Sequence, residues 1–350
     1  AGAERRQYRG GRRPGAAMEG AARMDVHLIT DGGVEERTLE DLPELLKDRQ
    51  GLVWVDIPRV DAEAAPVLAE VFRFHPLAIQ DCENRNHVPK VHVYPDHLFL
   101  ALHSPELGKG GHVHHLELDQ FVGPGYLVTV HGPLDPEVIP ELAFRETNAV
   151  YKRVKAGRFR PSVSYELSHA IVSAMTRHQE EFLGILALEV GLLEQRVMGE
   201  EHEDPEQFLE ELFRARHGLI AVKTMAALSS EIYGRMATLT RFVPAEAQPM
   251  VADIADQFER IKGMADGETE FLQAVIEFHQ SRTNTKMTIA AERLAVIAAV
   301  TLPVTAISSV YGMNIIVNET THWGQLAVVL AIMVALSGTL LRWAKHQGWW

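Results

Sequence analysis

The 350-residue chain contains one cysteine, Cys82. That excludes an intrachain disulfide and any zinc site built from several cysteines. Positive charge is also scarce: 34 Lys and Arg stand against 47 Asp and Glu, a formal net charge of −13. A dedicated nucleic-acid binder needs a basic face, so this balance argues against one. There is no P-loop, no G-x-S-x-G, no H-E-x-x-H and no setting for a cysteine nucleophile, so nothing points to an enzyme. Disorder is not the reason, because 46% of the residues are apolar and 23% charged. The most local shortage is of charge. From Leu294 to Leu341 only Glu319 is formally charged.

Two apolar runs fill that stretch, LAVIAAVTLPVTAISSVY (294–311) and GQLAVVLAIMVALSGTLL (324–341). Each reaches the lower length limit for a helix crossing ~30 Å of hydrocarbon. Arg282, Lys286 and Arg293 precede the first, Arg342 and Lys345 follow the second, and the connection has no Lys or Arg. The positive-inside rule then places both chain ends in the cytoplasm and the connection outside. Tyr311, Trp323 and Trp343 fall at the expected interfaces. Ala327, Ala331, Ala335 and Thr339 form a small-residue stripe that lets a neighbouring helix approach closely. In the first span Pro303 frees the carbonyl of Ala299, and Thr301, Thr305, Ser308 and Ser309 are polar. Polar groups at that depth face a bundle interior or a water path. Two spans cannot enclose a pore, so a pore requires an oligomer with the first helix inside and the second outside.

The remainder reads as follows. Residues 1–24 are a basic, disordered extension, with Met24 a natural beginning. Residues 25–150 form a cytosolic α/β domain, with strands at 25–30, 52–57, 88–94, 97–103, 114–122 and 126–132. Helices are expected at 61–73, 75–83 and 135–146. Strands in the second half follow one another without long helices, which predicts an antiparallel meander with helices packed on it. Residues 151–245 form a helical hairpin, with Leu167, Ile171, Phe182, Ile185 and Leu193 at helical spacing and a break at 199–203. Asp204-Pro205 starts its second arm. A stalk helix over 246–293 continues into the first span, 294–311. An external loop over 312–323, a second span over 324–343 and a cytosolic tail over 344–350 complete the chain. The fold class is thus α+β with a long stalk helix and two C-terminal transmembrane helices.

Tyr311-Gly312-Met313-Asn314 closes the proline-containing span just before a short loop and a final helix. In that position it resembles the CorA family of divalent-cation channels. His75-Pro76-Leu77 through Asp81, Pro89-Lys90-Val91 with Tyr94, Leu98-Phe99 and Leu127 to His131 extend the resemblance over most of the chain. It implies a homopentameric funnel in the inner membrane, with gated influx of Mg2+, and of Co2+ or Ni2+ as further candidate ions. Gly312, Met313 and Asn314 would form the selectivity filter. Leu302 would be a hydrophobic constriction, with Thr305 outside it and Ala295, Ala291 and Thr288 toward the cytosolic mouth. Asp253 and Asp256 would bind regulatory Mg2+ together with Asp81 of a neighbouring subunit. Mg2+ is then both substrate and regulatory ligand, and no organic cofactor is implied.

Some positions depart from the family pattern. Ile315 follows Asn314, Thr288 stands where Asn is common, Gln80 replaces an acid beside Asp81, and Glu319 is the only acid of the loop. The chain has 17 histidines. His112 and His114, on one strand face, are a candidate pair for a borderline metal. A zinc-transporting branch of the same architecture, with proton coupling, is therefore one alternative, although Met313 favours the magnesium type. A membrane-anchored metal sensor is another.

Overall fold

The computed structural model describes residues 24–108, 111–133, 136–199, 205–238, 243–312 and 323–346. The chain divides into two compact units between Leu272 and Gln273.

The first unit is built on a seven-stranded sheet. Its strands are β1 (Asp25–Thr30), β2 (Gly33–Arg37), β3 (Leu52–Ile57), β4 (Lys90–Val93), β5 (Leu98–Leu107), β6 (Val113–Gly123) and β7 (Tyr126–His131), in the spatial order β2-β1-β3-β7-β6-β5-β4. The stretch from β4 to β7 is the expected antiparallel meander, with Phe99 opposite Phe121 and Val122 opposite Leu127. β3 runs parallel to β7 and antiparallel to β1. β2 was not among the expected strands. Its sequence, GVEER, is half-exposed to exposed and has no apolar alternation. Hydrogen bonding to β1 defines it, as is common for a charged edge strand.

Alternation puts Val53, Val55 and Ile57 of β3 on one sheet face with Phe99, Phe121, Val128 and Val130. This face is covered by α1 (Leu42–Asp48), by α2 (Ala64–Pro66) with a π-helical turn at Val67–Val71, and by α3 (Pro76–Glu83). Pro76 opens α3, where its missing N–H costs nothing, and His75 Nδ1 accepts a hydrogen bond from the Leu77 amide. Cys82 is 1% exposed and its thiol donates to the Ala78 carbonyl at 3.3 Å, consistent with a small buried packing residue.

Helices α4 (Pro140–Ala143), α5 (Arg145–Lys155), α6 (Ser164–Met198) and α7 (Pro205–Thr238) follow, then the start of α8 (Gln248–Gly312). The single helix expected over 135–146 is instead split. Phe144 leaves helical geometry at φ −98°, ψ 10°, and α5 re-aims the chain so that Tyr151 stacks on His27, centroids 4.6 Å apart. The first half of α6 is bonded to the sheet: Ser164 Oγ to the Gly123 carbonyl, Ser168 Oγ to Gln120, and Gln179 Nε2 to the His103 carbonyl. Its second half pairs with α7, where a Cβ on Gly218 would lie 2.9 Å from Leu186. This change of partner rotates the buried stripe around α6. Leu167, Ile171, Phe182 and Leu193 are buried, but Ile185 is 60% exposed.

Glu117 and Asp119 share the face of β6 that carries Phe121, under α3. Asn86 donates to Glu117 from its backbone and side chain. Asp119 is fully buried, with neither oxygen in a well-formed hydrogen bond. Burial, then the like charge of Glu117, pushes its pKa well up. The folded state therefore binds a proton that the unfolded state releases, and stability falls as pH rises above about 4 toward the folded value. In thermal melts of the detergent-solubilised protein, Asp119→Asn is expected to flatten the fall in Tm between pH 5 and pH 8. Identical slopes in the two proteins would contradict this placement.

Candidate ion pathway and regulatory acids

The second unit contains the C-terminal part of α8, together with α9 (Trp323–His346). α8 is 65 residues long and keeps Pro303 inside it. Both helices are long and apolar enough to cross a membrane, and neither apolar window is buried within the protein. Leu294, Ile297, Leu302 and Val310 of α8 are more than half exposed, as are Val328 and Val334 of α9. Each such side chain left in water forgoes about 1.5–3 kcal/mol. A soluble core helix would not leave them uncovered.

One face of α8 differs from the rest. Glu277, Ser281, Asn284, Thr288, Ala291, Ala295, Ala298, Leu302, Thr305, Ser309 and Gly312 follow one another in alternating steps of four and three. This 3.5-residue period keeps them on one face, drifting by about 20° per heptad on a straight helix. Along the face the chemistry grades from acid through carboxamide and hydroxyl to small, then bulky apolar at Leu302, then hydroxyl again. Glu277, Ser281, Asn284 and Thr288 also line a polar surface groove. The threonine protons are already satisfied: Thr288 Oγ1 donates to the Asn284 carbonyl at 3.0 Å, and Thr305 Oγ1 to the Thr301 carbonyl at 2.8 Å. Their lone pairs remain able to accept from water.

Asp81 and Asp253 are each held by a side chain from elsewhere in their own chain. Asp81 Oδ1, on α3, lies 2.7 Å from Lys90 Nζ, and its Oδ2 lies 3.8 Å from His92 Nε2. Lys90 also donates to Asn86 Oδ1 at 2.7 Å. Asp253, near the start of α8, meets His169 Nε2 of α6 and Gln257 Nε2, each at 2.7 Å. The His169 contact is the main reason its carboxyl pKa is lowered. Asp256 is exposed, one turn further along. His112 and His114 do come together, their rings 5.9 Å apart, although His112 lies just before β6 and not on it.

Residues 49–346 match the family model of the CorA-like Mg2+ transporter protein. The chain belongs to the CorA-like Mg2+ transporter family. It is 23% identical over 327 residues to the Bacillus subtilis protein named metal ion transporter YfjQ, covering 92% of this chain and 98% of that one. It is 21% identical over 309 residues to the cobalt/magnesium transport protein CorA of Thermotoga maritima, covering 87% and 85%. Its fold matches the complete CorA magnesium transporter from Methanocaldococcus jannaschii at a TM-score of 0.76, with 16% identity over 93% of this chain and 98% of that one.

As a CorA-family protein the chain is a divalent metal-ion transporter of a membrane and not an enzyme. Of the residues singled out in the sequence, Gly312 is the last of α8 and exposed, while Met313, Asn314 and Glu319 lie outside the described residues. Thr288, Ala291, Ala295, Leu302 and Thr305 all fall on the graded face. Sequence reasoning missed its continuation through Asn284, Ser281 and Glu277, which the same alternating step would have found. It also missed Lys90 and His169 as partners of the acids, for which the sequence carries no local signal. The Asp81–Lys90 pair is about three-quarters buried on each side. Lys90→Met, which leaves Asp81 without its counter-charge, is expected to cost about 1–2 kcal/mol. Adding Asp81→Asn should restore most of it. Thermal melting of the single and double variants checks this.

Proposed function

We propose that five copies of this chain form a homopentameric channel for gated Mg2+ influx across the inner membrane, with both termini cytoplasmic. Co2+ and Ni2+ are further ions of the same class. One observation carries the reading: the graded face of α8 runs from Glu277 to Gly312 and leads directly into Met313-Asn314. Five such faces turned inward make an acidic and polar cytosolic mouth, a ring of Leu302 side chains, and an outer polar mouth. Mg2+ sheds its waters reluctantly and prefers octahedral oxygen ligands. A ring of Asn314 carboxamides, with the Gly312 carbonyls, suits a hydrated ion because amides bond to its waters without replacing them. The Leu302 ring closes by dewetting. α9 packs outside, and Glu319 adds negative potential at the entrance.

The regulatory reading keeps Asp253 and Asp256 of one copy with Asp81 of its neighbour as Mg2+ ligands. Lys90 and His169 sharpen it, because Mg2+ must displace these side chains from the same carboxylates. The closed state is thereby balanced between these protein partners and metal. The residue assignments follow the family pattern together with the α8 spacing.

The test is ion entry into proteoliposomes loaded with a magnesium dye. Asn314→Ala is expected to reduce Mg2+ entry by at least ~10-fold, the scale of a lost metal-site group, with assembly size unchanged. Zinc entry that requires a proton gradient, with little Mg2+ entry, would replace this reading with the zinc transporter. No flux of either ion from a folded assembly would leave the metal sensor.

A further inference from the structure

The first unit gathers histidines at the tip of the β5–β6 hairpin. His112 and His114 come from the hairpin, and His217 from α7, about a hundred residues further along. The ring centroids of His112 and His114 are 5.9 Å apart, and those of His112 and His217 are 5.7 Å apart. Two imidazoles sharing one ion, at metal–nitrogen distances of about 2.0–2.1 Å, place their centroids roughly 5–6 Å apart. A carboxylate is also at hand: Glu137 Oε2 lies 4.0 Å from His114 Nε2.

The local backbone is shaped for this cluster. His114 is 8% exposed. A Cβ on Gly108 would fall 2.2 Å from its Nε2, so any larger residue there would push the ring aside. The Gly108 amide donates to the His112 carbonyl at 2.7 Å and closes the hairpin. His112 and His217 are exposed. Among the described residues no three such side chains already meet at one point. Convergence needs rotation of those two exposed rings toward the fixed one. On α7, Arg214 interacts electrostatically with Glu189 and Glu211.

We propose that His112, His114 and His217, with Glu137 as an oxygen donor, form a binding site for a borderline divalent cation such as Zn2+, Co2+ or Ni2+. Imidazole donors suit these ions, whereas Mg2+ prefers oxygen. The site is independent of the transport reading, and its ion ties the hairpin tip to α7.

Titration of the full-length protein in detergent with Co2+, followed by visible absorption, tests the proposal. A nitrogen-rich, low-coordinate Co2+ absorbs far more strongly than Co2+ in an octahedral oxygen site. The expected result is a strong band saturating at one Co2+ per chain, removed by Zn2+ and untouched by excess Mg2+. His112→Ala and His217→Ala should each weaken binding by at least ~10-fold. Absence of the band, or an unchanged titration in the double variant, would overturn the proposal. If a variant melts early, protection of wild-type His217 from diethyl pyrocarbonate by Zn2+ reads the same contact, and no protection would also overturn it.

Discussion

The apolar part of α8 has no stable place as a single chain in one solvent. Its flanks, with Leu294, Ile297 and Val310, are uncovered and unsuited to water. Its graded face carries Thr305 and Ser309, polar groups that favour a bundle interior or a water path over lipid. Pro303 adds a carbonyl without its usual intrahelical partner. Turning the polar faces of several copies toward one another, with the apolar flanks toward lipid and α9, resolves both conflicts at once. The threonine protons are already spent on backbone carbonyls. On that face the lone pairs of Thr288 and Thr305 stay able to accept from water.

The long helices and most strands were legible because burial repeats at a fixed period. α8 was readable as one helix because no proline interrupts it between Pro249 and Pro303. β3, with Leu52, Trp54 and Val55 buried, read as a strand because it is apolar on both faces. β2 was not legible, since an exposed edge strand needs only a hydrogen-bonding neighbour. Ile185 fits the helical spacing and is still exposed, because α6 exchanges the sheet for α7 midway. Periodicity finds a buried face only while the partner stays the same.

Side-chain pairing was the least legible layer. Asp81 with Lys90, Asp253 with His169, and His112 with His217 join distant parts of the chain. No spacing rule connects them, because the meander and α6–α7 decide which residues meet. Nothing in the sequence separates Asp119 from an ordinary strand acid; in the fold, where β6 lies under α3, it is fully buried. The candidate pore residues came from the family resemblance carried by Tyr311-Gly312-Met313-Asn314, and those within α8 then prove to share one period of that helix.

The central claim is that the graded face of α8 lines the ion path. The protein suits a cysteine-accessibility scan, because Cys82 is buried and burial pushes its thiol pKa up, away from reactivity. Single cysteines placed in turn from Glu277 to Gly312 would be treated with a small charged thiol reagent while Mg2+ entry is followed. Block is expected at Asn284, Thr288, Ala291, Ala295, Leu302 and Thr305, and not at Met287, Leu294 or Ile297. Block without that period, or block centred on the Leu294 and Ile297 side, would contradict the claim.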